Sequence, residues 1–315
     1  MVLILTERKD TMSYEVYSHI KNNGHKVFLI FPDSEIEVLY ITIDGFSLKV
    51  DGEILVSDEI TSFWHRRGHI PMNEGILKIC KESEILDYFK TDLKTLYDVL
   101  YFVLFKRNLN IMGTNRVINF FYAKKCGIDI PNFIITQSKL ELVKFKQTYN
   151  DIIVKSFSDG IFLKNEISVT MNYTELYTWD DLLITPASFF PSLFVEYIHK
   201  KYEIRVFIFD SLLYSVVFLT QSENNTKVDM RRSSKGTPQR IFEIYLPTDI
   251  QGKLLSLLSI LSISSASIDL IYGSDGNYYF LDLNPFGQFE VVHQNSNNSI
   301  TYEIANKLCQ NIQAN

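Results

Sequence analysis

The residues of this chain best placed to do chemistry are two aspartates near its end, Asp269 and Asp282, in the stretch SIDLIYGSDGNYYFLDLNP (Ser267 to Pro285). Asp275-Gly276 between alternating apolar runs predicts a hairpin with a two-residue turn. With those two residues as the loop, Ser274 faces Asn277, Ile271 faces Phe280 and Asp269 faces Asp282. Like charges opposed across an antiparallel pair are destabilising, so something must neutralise them. Asp282 and Asn284 share one strand face, Leu281 and Leu283 the other. Three oxygen-bearing side chains then converge, a donor set that suits a hard cation such as Mg²⁺, which takes one or two protein carboxylates plus substrate phosphates. The plainer reading makes Asp269 a strand-end surface residue and LDLNP a strand running into a turn.

Other constellations also carry two readings. DIIVKSFSDGIF (Asp151 to Phe162) ends an apolar strand in Lys155 and continues into a small polar loop containing Ser158 and Gly160. One ammonium and several backbone N–H groups can hold a phosphate there; alternatively Lys155 is solvated beside a turn. The loop has no Walker pattern. FVEYIHKKYEIRVFIFD (Phe194 to Asp210) sets Glu196, Glu203 and Arg205 on or beside two consecutive strands. Glu203 and Arg205 share a face as an ion pair, or Arg205 neutralises charge developing in phosphoryl transfer. VDMRR adds Arg231 and Arg232, as site residues or solvated loop charges. His65 and His69 have i, i+4 spacing, but Arg66, Arg67 and Gly68 between them make no zinc-binding helix, and no nucleophile elbow or catalytic-cysteine signature occurs.

These residues need elements to position them. The chain opens as a strand (Val2–Thr6), a helix (Asp10–Asn23, stopped by Gly24) and a second strand (Lys26–Phe31), which predicts a parallel sheet. Strands follow around the Val50-Asp51-Gly52-Glu53 turn and at TSFWHRR, then a helix over Ser83–Lys106 with apolar residues at helical spacing. The first domain is expected to end near Asn110. Beyond Asn115 come a helix stopped by Gly127, a strand after Pro131, a short helix near Leu140–Lys146, and strands at DIIVKSF, SLFVEYI, YEIRVFIFD and LLYSVVFLT before the hairpin. Asn225–Thr237 reads as a loop and Ile300–Ile312 as a final helix.

The chain has 315 residues, 46% apolar and 14% aromatic, enough for a large core in about two domains. A net charge of −6, with no long single-sign run, argues against a general nucleic-acid binder. Three scattered cysteines fit neither a disulfide framework nor a metal site, so a reducing cytoplasm is expected. Nothing reads as a signal peptide or membrane span.

Taken in order, these pieces resemble the ATP-grasp superfamily: the helix starting at Asn115-Arg116, the strand–Lys155–loop, the hinge strand FVEYI, the Glu-x-Arg strand, Asp269 and Asp282-x-Asn284. Within it the chain looks like the graspetide (microviridin-type) peptide maturases, in particular the grasp-with-SPASM subgroup. FWHRRGHI, NRVINFFYAKKCGIDIPNFIIT, VDMRR and FLDLNPFGQF carry this narrower resemblance.

The resemblance implies an α/β chain, α+β in its C-terminal half. A pre-ATP-grasp parallel-sheet domain would span 1–110 and an ATP-grasp domain 111–315, divided into a central subdomain (about 115–198) and a C-terminal one (199–315). It implies ATP with Lys155 and Arg116 along the phosphates, the Ser158–Gly160 loop around them, Glu196 and the Tyr197 and Ile198 backbone at the adenine, and Glu203 at the ribose. Arg205 and Arg231 would sit near the transferred phosphoryl, and Asp269, Asp282 and Asn284 would hold Mg²⁺. Arg66, Arg67 and Arg232 are candidates for binding an acidic peptide, with a structural ion pair equally open for Arg66 and Arg67.

The implied reaction joins Asp/Glu carboxylates of a ribosomal precursor peptide, with a leader and an acidic, Thr-rich core, to Ser/Thr or Lys within the same peptide. A homodimer is also implied. A glutathione-synthetase-like amino-acid ligase and a kinase on the same fold are the alternatives. Two positions depart from the family pattern: Asp282 stands where glutamate is usual, and Arg116 where lysine is usual.

Overall fold

The computed structural model describes residues 1–70, 83–105, 115–157, 162–164, 169–171, 174–219, 240–297 and 299–313. Two compact units result, Met1–Met112 with Asn297–Asn315, and Gly113–Ser296.

In the first unit the opening β-α-β pattern forms as its periodicity requires. β1 (Val2–Leu5) is fully buried and lies parallel between β2 (Val27–Ile30) and the strand Ser62–His65, with α1 (Thr11–Asn22) as the crossover. Burial on both faces explains the unbroken apolar run. β3 (Ile36–Ile41), β4 (Phe46–Val50) and β5 (Glu53–Val56) make an antiparallel meander. Its second turn is the two-residue kind, with Asp51 and Gly52 both at positive φ (49° and 89°). β3 is half-exposed and lacks a clean alternation, which hid it in the sequence. After β6 (Ser62–His65) comes α2 (Ser83–Phe105), which adds Leu100, Tyr101 and Leu104 to a core with Leu3, Ile30, Leu48 and Ile70.

The second unit begins at α3 (Arg116–Lys125), capped by Asn115, whose side-chain oxygen accepts from the Val117 and Ile118 N–H groups, both at 3.1 Å. β7 (Phe133–Ser138), α4 (Lys139–Tyr149) and β8 (Ile152–Lys155) follow, then β9 (Phe162–Lys164), β10 (Val169–Met171), β11 (Glu175–Tyr177), α5 (Trp179–Ile184) and β12 (Ser188–Glu196). A four-stranded sheet has the order β11-β8-β12-β7. β13 (Lys200–Phe209), β14 (Leu212–Leu219), β15 (Arg240–Glu243), α6 (Thr248–Ile260), β16 (Ser265–Gly273), β17 (Tyr278–Asn284) and α7 (Glu290–Asn295) complete the unit. Their antiparallel sheet runs β15-β14-β13-β16-β17.

Ile204, Val206, Ile208, Ile268, Leu270 and Phe280 turn one face of this sheet onto α6 and onto Phe120 and Ala123 of α3. By strand alternation Arg205 and Asp269 belong to the other face. Val117 of α3 joins Ile153, Leu193 and Val195 of the four-stranded sheet, so α3 touches both sheets. Its N-terminus, with Arg116, is placed where they meet.

The last helix, α8 (Ile300–Gln313), departs from the expected division, which assigned 111–315 to one domain. It belongs with the first unit: Ser62 Oγ donates to the Leu308 carbonyl at 2.7 Å, and His19 meets the Tyr302 ring edge-on. An apolar helix face is readable from sequence, but the surface it covers is not. Among the described residues no helix is long and apolar enough to cross a membrane.

Candidate active site

β16 and β17 pair as the sequence required at the decisive point, with Asp269 opposite Asp282 and Ser267 opposite Asn284. The path to that register differs. Tyr272 pairs with Tyr278 and Ile271 with Tyr279, one residue out of step with a two-residue turn. The loop is longer because the Asp275 carboxylate accepts from the Asn277 N–H (3.2 Å), the Asn277 amide (2.8 Å) and the Tyr279 hydroxyl (2.7 Å). Leu270 pairs with Phe280 and Asp269 with Asp282, so Leu281 is a bulge that restores the register.

A row of charge crosses the sheet here. Arg205 on β13 is the cross-strand partner of Asp269, which is the partner of Asp282. Arg205 Nε and Nη2 donate to the two Asp269 oxygens at 2.8 and 3.0 Å, a bidentate pair. Asp269 holds the Arg205 pKa above its ordinary value. From α3, Arg116 Nη2 and Nε donate to Asp282 Oδ2 at 2.7 and 3.3 Å, and its Nη1 donates to the Ser156 carbonyl at 2.7 Å. The opposed carboxylates are therefore neutralised by two guanidiniums. A cation is not needed for them to tolerate each other, which corrects the sequence reading on that point.

The oxygens still fit Mg²⁺. Asp269 and Asp282 keep 37% and 33% of their side-chain surface exposed. Asp282 Oδ1 accepts the Leu283 N–H at 3.0 Å and each Asp269 oxygen accepts one Arg205 hydrogen, so these three oxygens each have a further lone pair for a hard cation. Asn284 Oδ1 accepts the Phe286 N–H at 2.9 Å, turning the chain towards Gly287. A Cβ on Gly287 would lie 2.3 Å from the Ser267 Cβ, so only glycine lets this turn seat against β16.

The remaining sequence candidates divide. Lys155 ends β8 opposite Leu193 and shares the strand parity of Ile153, the face that meets α3; it immediately precedes Ser156. Glu196 ends β12 and its carboxylate accepts from the Asn132 side-chain amide (2.7 Å) and backbone N–H (3.2 Å). The Tyr197 N–H donates to the Asp151 carbonyl at 2.9 Å, so of the expected adenine-facing backbone this donor is already used; Ile198 follows it. Glu203 pairs with Lys200. Lys200 is 4% exposed, a residue the sequence reading missed in HKKYE.

Arg66 is corrected as a peptide contact. Its side chain is 4% exposed and clasps Asp10, with Nε 3.1 Å from Oδ2, while burial pushes its pKa down to about 10. Arg67 keeps 24% of its side chain exposed, 4.0 Å from Glu7. Ser158, Gly160, Arg231 and Arg232 lie outside the described residues.

Two sheets bridged by α3, with opposed carboxylates on one hairpin, define the ATP-grasp fold, and the chain superposes on solved structures of that fold along nearly its whole length. It is similar to a RiPP-associated ATP-grasp ligase of Chryseobacterium gregarium in complex with ADP and a leader and core peptide (TM-score 0.84, 20% identity, 98% of this chain and 96% of that one). It is also similar to the macrocyclase MdnC bound with precursor peptide MdnA from Microcystis aeruginosa MRC (0.77, 20%, 98% and 99%). A third is the ATP-grasp ligase PsnB complexed with a phosphomimetic variant of minimal precursor, Mg and ADP (0.74, 15%, 99% and 98%). No protein-family model and no curated protein matches the chain.

Proposed function

We propose that this chain is an ATP-dependent graspetide-type ligase. It activates Asp or Glu side-chain carboxylates of a ribosomally made precursor peptide as acyl phosphates, then closes ω-ester or ω-amide crosslinks onto Ser/Thr hydroxyls or a Lys amine of the same peptide. The observation that carries this is the end-to-end likeness to ATP-grasp ligases solved with their leader or precursor peptides. The charge row Arg205–Asp269–Asp282–Arg116, with Arg116 also bonded to the carbonyl of the residue that follows Lys155, supplies residues suited to that chemistry.

Joining a carboxylate to a hydroxyl is uphill in water. The γ-phosphoryl of ATP therefore moves first to a peptide carboxylate oxygen, releasing ADP. The hydroxyl or amine then attacks the acyl carbon, the bond to phosphate breaks, and inorganic phosphate leaves with its electron pair. Both partners lie on one bound peptide, so much of the rate advantage is proximity. Mg²⁺, when bound by Asp269, Asp282 and Asn284, supplies charge neutralisation for the phosphates. Lys155 and Arg205 hold the phosphate oxygens; Arg231 and the Ser158–Gly160 loop extend this set. Glu203 and Glu196 meet ribose and adenine, Arg67 and Arg232 the acidic core peptide. No covalent protein nucleophile is required. The reading extends to a homodimer in the cytoplasm.

Mass spectrometry of a short Thr- and Asp/Glu-rich peptide encoded beside this chain, incubated with enzyme, ATP and Mg²⁺, tests the proposal. Loss of one water per crosslink with matching ADP and phosphate release supports it. A gained residue mass indicates an amino-acid ligase instead, and a gained phosphate a kinase.

A further inference from the structure

Every nitrogen of the Arg116 fork is engaged. Nη2 and Nε hold one oxygen of Asp282, and Nη1 holds the carbonyl of Ser156, the residue that follows Lys155. The side chain is 16% exposed, and its backbone is fixed at the first helical position of α3 by the Asn115 cap. Helix α3 is itself anchored to both sheets, through Phe120 and Ala123 on one side and Val117 on the other. The second Asp282 oxygen accepts the Leu283 N–H, so two directed bonds set the plane of this carboxylate. A single rigid cation thus ties the hairpin carrying the opposed aspartates to the end of the strand carrying Lys155.

We propose that Arg116 is a positioning residue that couples the metal-holding and phosphate-holding halves of the site, fixing Asp282 and the chain at Ser156 in one register. This rests on the nucleotide reading of the site given above. The physical consequence is linkage. If one group sets the geometry of both halves, metal and nucleotide each raise the affinity of the other through it, by a factor that is the same in both directions. A lysine retains the charge but not the planar fork, so it cannot hold Asp282 and the Ser156 carbonyl with the same geometry. A glutamate at 282 is one methylene longer and can meet that shorter, single-point cation.

Calorimetric titration of ADP with and without Mg²⁺ tests this on the full chain, using Arg116→Lys, Asp282→Glu and the double variant. The quantity read is the ratio of ADP affinities with and without Mg²⁺. Each single change is expected to lower that ratio at least about tenfold, the usual loss when a residue orienting a metal ligand is altered. The double variant is expected to recover most of it, to within about threefold of wild type, as contacting residues show strong coupling in such cycles. A residue that merely stabilises the fold lowers the unfolding midpoint and leaves the ratio unchanged; that result for Arg116→Lys overturns the proposal. Losses that simply add in the double variant overturn it too. Should a double variant misfold, Arg116→Gln alone is read by the same ratio: a fall of at least about tenfold supports the proposal, and an unchanged ratio overturns it. A wild-type ratio of one sinks the nucleotide–metal reading itself, and the coupling with it.

Discussion

Arg205 and Asp269 occupy directly opposed positions on β13 and β16 and join through two parallel hydrogen bonds of 2.8 and 3.0 Å. The pair is only partly buried, 24% and 37% exposed, so its worth to stability is small, about 1 kcal/mol or less. Arg205→Ala is therefore expected to shift the urea unfolding midpoint little while lowering peptide-dependent ADP release at least about a hundredfold. Arg205→Lys should fall between, because it keeps charge without the fork. A large stability loss with normal turnover of the residual folded enzyme would assign Arg205 a structural role instead.

Gly287 gives a second test. A Cβ there would meet Ser267 across from Asn284, and Asn284 is the residue that turns the chain towards it. Gly287→Ala is expected to displace Asn284 and weaken Mg²⁺-dependent ADP binding about tenfold or more. Restoring room with Gly287→Ala/Ser267→Gly should recover it; calorimetry reads both.

Lys200 and Glu203 form an ion pair with side chains only 4% and 12% exposed. Removing one partner leaves a buried charge, so Lys200→Met is expected to cost about 3 kcal/mol of unfolding free energy. Adding Glu203→Gln should return a substantial part of that loss in the same urea titration. If the single variant is as stable as wild type, Glu203 is solvated and its assignment beside a ribose gains no support from rigidity.

In the first unit burial holds His65 neutral, with a pKa of about 4 against an ordinary 6.5, despite its bond to the Gly68 carbonyl at 2.9 Å. The folded pKa is depressed, so the unfolded chain takes up the proton first as pH falls. Stability is fully present above about pH 6.5 and is lost towards pH 4, at up to about 1.4 kcal/mol per unit. Unfolding followed by Trp64 fluorescence in a Trp179→Phe background should show this slope between pH 6.5 and 5, and His65→Phe should abolish it.

How much of this was legible in the sequence follows the range of the interactions. Asp269 opposite Asp282 was readable because a hairpin is local. The reading assumed a two-residue turn, however, and succeeded because the Asp275-capped loop and the Leu281 bulge offset each other. The partner of Asp282 was out of reach: Arg116 lies 166 residues away, and only the docking of α3 on both sheets brings it there. Lys200 was not singled out, since charge in sequence does not reveal burial. For Arg66 the choice between a peptide contact and a structural ion pair stayed open for the same reason, as its partner Asp10 follows β1, the strand beside β6 in the parallel sheet. The charge pattern of HRR was visible; which arginine faces inward was not.

In the proposed function the opposed aspartates form a metal site completed by a nucleotide. The row Arg205, Asp269, Asp282 and Arg116 sums to zero charge, so a bare divalent ion gains little there until phosphates add their negative charge. Titration of Mn²⁺ followed by electron paramagnetic resonance, with and without ADP, measures this directly. One Mn²⁺ site is expected, tightened at least about tenfold by ADP and lost in Asp269→Asn and in Asp282→Asn. Mn²⁺ binding that ignores ADP, or that survives both substitutions, would contradict it.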